Sequence, residues 1–429
     1  MVFTLRLVIP ERSSSVLLVE DGSGWALPRV MSDEAEMLID VAPTVREVTG
    51  LDVIVLRELR VGPVPPPDDK IIYLTERVRD PSVARGRWSR EEDVSRLDFA
   101  DAHDRTAVQA WFDEERTGAS SSGQPWQREG WYSTAVAWIE ETMPHVTRVA
   151  QFATWCNSCI LRVETADGRY YFKASPDYFA QEPVVTAMLG ERFPRKTPRT
   201  VAVEPERRWM VLADLGDVAV STLSLDDRAK ALDAIAELHR ESVDHVGELL
   251  ESGCRDRRAS VLSGQIATLA ADDTVPLPGD LRQRLHAAVP RLVEACAELE
   301  MSSIPPTLVH GDLHADNIMF TEGRYVIFDW TDACVADPFV DVLMFLSRLP
   351  ETPSVRRAFR DRYLAAWKEV VSGSEADELY ELAEPLAAMH HAVTYRGIYD
   401  AFGEAEWWRF SGALPGWIEK ALACPIVGG

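Results

Sequence analysis

The segment Leu308-Val309-His310-Gly311-Asp312-Leu313-His314-Ala315-Asp316-Asn317-Ile318-Met319-Phe320, continued by Tyr325-Val326-Ile327-Phe328-Asp329-Trp330, leaves this chain few options. Asp312 and Asn317 lie on what reads as a loop. A short strand, a turn at Glu322-Gly323 and a second apolar strand follow, and because a hairpin brings its two ends together, Asp329 returns to the neighbourhood of Asp312. Hard oxygen ligands are thereby gathered beside a carboxylate. Phosphoryl transfer from a nucleotide uses such a set: Asn and Asp hold magnesium on the phosphates, while a second Asp orients the attacking hydroxyl and accepts its proton. The competing reading is an acidic hairpin without chemistry.

The order Asp, four residues, Asn, then an Asp ending an apolar strand is also that of protein kinases, with Gly311 in place of the usual Arg and Trp330 in place of the usual Phe. With the continuation Thr331-Asp332-Ala333, Asp337-Pro338 and Asp341, the chain resembles the aminoglycoside phosphotransferase family of small-molecule kinases. The resemblance implies Asp312 as the catalytic residue, Asn317 and Asp329 as the magnesium ligands, ATP or GTP as donor and a small-molecule hydroxyl as acceptor. In protein kinases the missing Arg couples to a phosphorylated activation loop, so regulation of that kind is not expected.

Upstream, the strands expected at Val146 to Phe152, Ile160 to Glu164 and Arg169 to Lys173 have the pattern of a kinase small lobe, preceded by an amphipathic helix from Gly130 to Met143. The resemblance assigns Lys173 to the donor phosphates and Glu182, at the head of the next helix, to its ion-pair partner. Without it, Lys173 reads as a surface lysine and Glu182 as an acid at the positive end of a helix. The turn Ala153-Thr154-Trp155-Cys156-Asn157-Ser158-Cys159 sits where a glycine-rich clamp is expected and holds no glycine; the resemblance implies that Asn157 and Ser158 contact phosphate, and the competing reading is an ordinary polar turn. Its single C-x-x-C, without a second pair or a suitably spaced His, is a poor zinc site. Trp209-Met210-Val211-Leu212 leads to Ala213-Asp214-Leu215-Gly216, where the family's hinge binds adenine through Ala213 and Leu215.

Residues 1–115 form a separate unit in this reading. Strands are expected at Phe3 to Ile9, Val16 to Val19, Val53 to Leu59 and Ile71 to Val78. A helical region from Asp33 to Val48 ends at Gly50 with a kink at Pro43, a Pro-rich turn follows Gly62, and a second helix runs from Ala102 to Glu115. Trp25-Ala26-Leu27-Pro28, Val45 to Leu51 and Arg87-Trp88 resemble a Nudix domain. The paired acids that Nudix hydrolysis requires are reduced to Glu47, since Pro43 and Thr44 occupy the first pair and Val48 half of the second. The acids at Asp33, Glu34, Glu36 and Asp40 suit a helix N-terminus. The polar stretch from Thr117 to Pro125 reads as a linker.

From Leu225 onward helices dominate: Asp226 to Glu241, Asp280 to Glu298, Val355 to Val371 and Glu375 to Tyr399, the last with a kink at Pro385. His239, His310 and His314 read as struts. The C-terminal helices supply the acceptor pocket in the resembled family, and here they carry His390, His391, Tyr395, Arg396, Tyr399, Trp407, Trp408 and Arg409. That is an aromatic, partly basic set, whereas an aminoglycoside needs carboxylates, and the competing reading is that these aromatics are simply core.

The fold class expected is α/β and α+β: a non-catalytic Nudix-like mixed-sheet domain over 1–115, a linker over 116–126, a kinase-like small lobe with a leading helix over 127–216, and a large lobe over 217–429. The function expected is ATP- or GTP-dependent phosphotransfer with magnesium. The rivals are a nucleotide-binding pseudokinase and a bifunctional kinase with an active Nudix domain. A net charge of −24 disfavours nucleic acid as a partner. No run of apolar residues is long enough to span a membrane, no secretory leader is recognisable, and six scattered cysteines do not make a disulfide framework, all of which points to the cytoplasm.

Overall fold

The computed structural model describes residues 3–11, 14–22, 24–32, 38–62, 71–78, 85–118, 123–275, 277–349, 351–403, 407, 409–410 and 412–428. The acids Asp33, Glu34 and Glu36, the Pro-rich turn from Pro63, the linker residues 119–122 and Trp408 lie outside them. The chain divides into two compact units, Met1–Pro176 with Trp209–Leu212, and Asp177–Arg208 with Ala213–Gly429. No helix among the described residues is long and apolar enough to cross a membrane.

In the first unit, a mixed sheet runs in the order Arg29–Ser32, Phe3–Val8, Ile71–Arg77, Val53–Glu58, with Phe3–Val8 and Ile71–Arg77 parallel and the other pairings antiparallel. Its core is Leu5, Leu7, Val30, Val45, Val53, Val55 and their neighbours. The helix before Gly50 is shorter than the sequence pattern suggests, Val41–Thr49. Pro43 falls in its first turn, where a backbone N–H would have no helical partner, so no kink results. Gly50 closes the helix in the left-handed conformation, φ 78°, its N–H donating to the Arg46 carbonyl at 2.8 Å. The buried carboxylate of Asp104 accepts from Arg6 Nε at 2.7 Å, the Leu27 N–H at 3.0 Å and Arg29 at 3.2 Å. Trp126, within the stretch expected as linker, is buried and donates its indole N–H to the Trp155 carbonyl at 2.8 Å.

The same unit holds the antiparallel strands Trp209–Ala213, Gly168–Ala174, Cys159–Thr165 and Val146–Thr154 in that order. Helix Trp131–Thr142 covers them, with Trp131 and Trp138 packed against Phe172 and Trp209. Strands Val53–Glu58 and Val146–Thr154 are edges of their sheets, and a single side chain joins them. The Gln151 amide accepts from the Val55 N–H at 2.8 Å and donates to the Val55 carbonyl at 2.7 Å. Leu38 N–H to Phe152 carbonyl (2.8 Å) and Gly130 N–H to Glu76 (2.9 Å) add to the join.

The second unit is mostly helical around one apolar core. Leu225–Ser242, Gly279–Glu300, Phe339–Arg348 and Pro353–Leu364 agree with the 3.6-residue pattern or, for Phe339–Arg348, add to it. Gly373–Phe402 runs as one helix through Pro385. Three short strands, Arg255–Asp256, Cys334–Ala336 and Thr307–Val309, form a small sheet that carries the functional loop.

Candidate active site

Strand Thr307–Val309 is fully buried and pairs antiparallel with Cys334–Ala336, Leu308 opposite Val335, so the chain leaves a rigid base. It turns at Gly311, φ +85°. A Cβ there would stand 2.5 Å from the Asp332 carbonyl oxygen, which excludes any side chain and explains why no Arg precedes Asp312. The turn is held from beneath by Asp341, a buried carboxylate on helix Phe339–Arg348. Its Oδ2 accepts from the His310 N–H at 2.8 Å and from His239 Nε2 at 3.0 Å, and its Oδ1 accepts from the Gly311 N–H at 3.0 Å. Burial pushes its pKa up, but the hydrogen bond from His239 and the charges and donors of the loop outweigh this and hold it below the usual carboxylate value. His239 in turn meets the Tyr363 hydroxyl through Nδ1 at 2.7 Å.

His310 is the second fixture. Its Nε2 donates to the Phe328 carbonyl at 2.8 Å, its Nδ1 accepts from the Asp312 N–H at 3.3 Å, and its ring lies 4.9 Å from that of Trp330. One imidazole therefore ties the Asp312 backbone to the residue before Asp329. With both ring nitrogens engaged, it serves as a strut.

The hairpin is as expected, Ile318–Thr321 against Arg324–Ile327, turning through Glu322 (φ 50°) and Gly323 (φ 75°). Positive φ at both turn residues matches the twist of a two-residue hairpin. Asn317 Nδ2 donates to the Asp312 carbonyl at 3.0 Å, and the Phe328 N–H donates to the Asn317 carbonyl at 3.0 Å. Asp312, Asn317 and Asp329 thus share one hydrogen-bonded frame. Asp329 sits in the left-handed region, φ 64°, and accepts from the Thr331 hydroxyl. Because the Asn317 amide nitrogen is committed, its Oδ1 is the atom left to meet a cation, alongside the Asp329 carboxylate. Such oxygen donors fit magnesium. Among the described residues, no group of three or more His, Cys, Asp or Glu is placed to hold a metal ion. The Asp312 side chain is 42 % exposed, with His314 Nε2 3.8 Å from its Oδ2.

A second acid stands close by. Asp332 has a buried Oδ1 that finds no hydrogen bond among the described residues and lies 4.0 Å from Arg255 Nη1. Burial and the negative charge of Asp312 raise its pKa to about 7 against the pull of Arg255. Arg255 itself lies over the Tyr178 ring at 4.1 Å. The positions of Asp332 and Asp341 in the motif were legible, but their tasks were not, because both depend on partners from distant segments.

The remaining residues named from sequence divide between the units. Lys173 is buried in strand Gly168–Ala174 opposite Ile160, and Asn157 and Ser158 lie in the preceding hairpin turn, closed by the Trp155 N–H to Ser158 carbonyl bond at 2.8 Å. Cys156 and Cys159 are buried, and burial lifts the Cys159 thiol to about 12. Glu182 begins helix Glu182–Arg192 of the second unit and is fully buried. The Ala213 N–H donates to the Arg199 carbonyl at 3.0 Å, and Leu215 follows in the loop. In the C-terminal set, His390 and His391 are core residues whose pKa burial lowers, and Tyr399 is buried with its ring stacked on Trp407. Arg396 pairs with Asp272 and Asp400, both at 2.8 Å. Tyr395 remains half-buried, its pKa raised to about 12 first by burial and then by Asp312 and Asp332.

Among curated proteins none matches this chain. Solved structures do. An ethanolamine kinase from Plasmodium vivax is 11 % identical with a TM-score of 0.50, over 79 % of this chain and 98 % of its own. An aminoglycoside 2'-phosphotransferase solved as a GDP complex is 16 % identical with a TM-score of 0.50, over 68 % of this chain and 96 % of its own. A choline kinase from Streptococcus pneumoniae is 13 % identical with a TM-score of 0.49, over 68 % and 97 %. The first two show a kinase-like fold. The model of the phosphotransferase enzyme family matches residues 162–392, more than half of the chain, including Asp312, Asn317 and Asp329. The chain therefore belongs to the phosphotransferase enzyme family and is a small-molecule kinase that takes a hydroxyl group as acceptor.

Proposed function

We propose that the protein transfers the γ-phosphate of ATP or GTP to a hydroxyl of a small metabolite or drug-like molecule, in the cytoplasm. The observation that carries this reading is the shared frame of Asp312, Asn317 and Asp329, each held by a hydrogen bond of the loop or hairpin. Asp312 orients the acceptor hydroxyl and takes its proton as the new oxygen–phosphorus bond forms and the donor's bridging bond breaks. Asn317 and Asp329 are the residues that would hold magnesium, which when bound offsets the charge of the donor phosphates. Lys173 steadies the donor phosphates, with Glu182 in the supporting acid position. Asn157 and Ser158 cover the phosphates, and the backbone around Ala213 and Leu215 meets the base. Because the groups stand ready in place, positioning and fixed charge supply most of the rate gain.

Residues 1–115 are proposed as a catalytically silent Nudix-like module. Glu47 is exposed and alone on helix Val41–Thr49, and a single carboxylate is a weak cage for a divalent ion bridged to a diphosphate.

Full-length protein with γ-labelled ATP or GTP, magnesium and a library of hydroxyl compounds tests the main reading. Label should move to one class of acceptor, and the transfer should vanish in Asp312→Asn. Nucleotide binding without transfer to any acceptor would establish a pseudokinase instead. For the front module, metal-dependent hydrolysis of nucleoside diphosphate derivatives that disappears in Glu47→Gln would overturn the silent assignment.

A further inference from the structure

Beside the catalytic loop, the second unit contains a cavity of about 290 Å³ lined by Ser221, Arg228, His314, Asp316, Phe345 and Arg348 among others. Three of these carry cationic or protonatable nitrogen. Arg228 is four-fifths buried, donates through Nη2 to the Ser221 carbonyl at 2.6 Å and has Glu351 3.8 Å from Nη1. Its Nε is buried and has no hydrogen-bond partner among the described residues. Arg348 ends helix Phe339–Arg348 and forms no hydrogen bond or ion pair among the described residues. A cation at a helix C-terminus is favourable by itself, but that does not account for a buried Arg228 nitrogen left open at the same cavity, since a charged donor buried without a partner is costly.

His314 connects this cavity to the chemistry. Its Nε2 is 3.8 Å from Asp312 Oδ2 and its Nδ1 is 3.5 Å from Asp316, whose side chain is 70 % exposed. The cavity therefore begins one imidazole away from the catalytic carboxylate, within the span of a small molecule. Its volume holds roughly ten water-sized groups, enough for an anionic head and a short carbon scaffold. The facing walls, Phe345 and Leu349, are apolar and suit that scaffold. The chain as a whole has 69 acidic against 45 basic residues, so two arginines with open donors at one cavity are not a sample of the average surface.

We infer that this cavity is a subsite for an anionic group of the acceptor, held by Arg228 and Arg348, so that the substrate class is a hydroxyl compound bearing a carboxylate or a phosphate ester. The inference rests on the transferase reading for the word acceptor, while the anion site itself can be measured apart from it. Inorganic phosphate and, separately, acetate are titrated by calorimetry into the full-length wild type, Arg348→Ala, Arg348→Lys and Lys173→Ala. Arg348 is exposed, so its replacement leaves the fold intact. Phosphate or acetate should bind saturably, and the tighter of the two identifies the head group. Binding should weaken at least about tenfold in Arg348→Ala, the loss expected for one charge-assisted hydrogen bond. It should recover partly in Arg348→Lys, and the part of the binding that depends on Arg348 should survive in Lys173→Ala. Absence of saturable binding, or dependence on Lys173 and not on Arg348, overturns the inference. In turnover assays, the KM for anionic acceptors should rise about tenfold or more in Arg348→Ala with kcat less affected. Efficient transfer to neutral or cationic hydroxyl compounds with a KM untouched by Arg348→Ala overturns the inference and leaves the transferase reading standing. Arg348-dependent binding with no acceptor found does the reverse.

Discussion

Asp312→Asn preserves the shape of the loop and removes the proton acceptor, so kcat should fall by about 10²- to 10⁴-fold while nucleotide affinity stays close to wild type. Near-normal turnover in that variant, measured on the true acceptor, would remove Asp312 from its role. One position earlier, Gly311→Ala tests the geometry of the turn. The added methyl must sit 2.5 Å from the Asp332 carbonyl at φ +85°, and strained backbone together with overpacking costs about 3 kcal/mol. Thermal denaturation should show a loss of several degrees, with transfer reduced alongside. An alanine variant as stable and active as the wild type would mean that the turn relaxes freely. At this scale the sequence was informative about Asp312, Asn317 and Asp329, because their spacing is local. It was silent about Arg228 and Arg348, which lie 120 residues apart in the chain and line one cavity.

The elements that hold the loop make their own predictions. Asp341 gathers three donors from two other segments, and removing a buried carboxylate while leaving its donors unsatisfied costs about 3–5 kcal/mol. Asp341→Ala should therefore lose that much in chemical denaturation and should lose transfer with it. Because the folded-state pKa of Asp341 lies below the usual value for an aspartate, its stabilisation is complete above the unfolded pKa and fades as pH falls through the folded one. Below about pH 4 the wild type should lose stability more steeply than Asp341→Ala. Equal slopes would show that the carboxylate is not ionised in the native state. On helix Gly373–Phe402, the residues expected to form an acceptor wall turn out neutral or paired: His390 and His391 are buried with lowered pKa values, and Arg396 is bound to Asp272 and Asp400. The described residues named for this wall include no carboxylate to pair with a polyamine such as kanamycin, so common aminoglycosides should be poor acceptors, with KM above about 1 mM, the upper end of the usual range. A low-micromolar KM would refute this. Periodicity located most of the large helices, and it failed where the helix start was polar and short, as at Val41, or where the apolar face was continuous, as at Phe339–Arg348.

For the whole molecule, the division near residue 176 is not the one that composition suggests. A small polar stretch around residues 117–125 looks like a place to cut, yet the described residues after it are anchored by Trp126, and the sheets on either side are joined through Gln151. A fragment beginning near Arg128 should therefore be less soluble and melt lower than the full chain. Gln151→Ala in the full chain should cost about 1–3 kcal/mol, the penalty for leaving the buried Val55 N–H and carbonyl without partners. A well-behaved fragment with wild-type stability would contradict both expectations. The amide of Gln151 also bears on how such a protein can be inherited. A sheet edge is an invitation to pair with any passing strand, and here strand Val53–Glu58 is answered by one side chain of the strand Val146–Thr154. A chain lacking residues 1–126 would leave the Gln151 amide without Val55, and one lacking the strand Val146–Thr154 would leave the Val55 N–H and carbonyl without Gln151. Neither half can be lost or exchanged by a single recombination without compensating change at the other, so the front module is expected to persist in descendants even where it catalyses nothing.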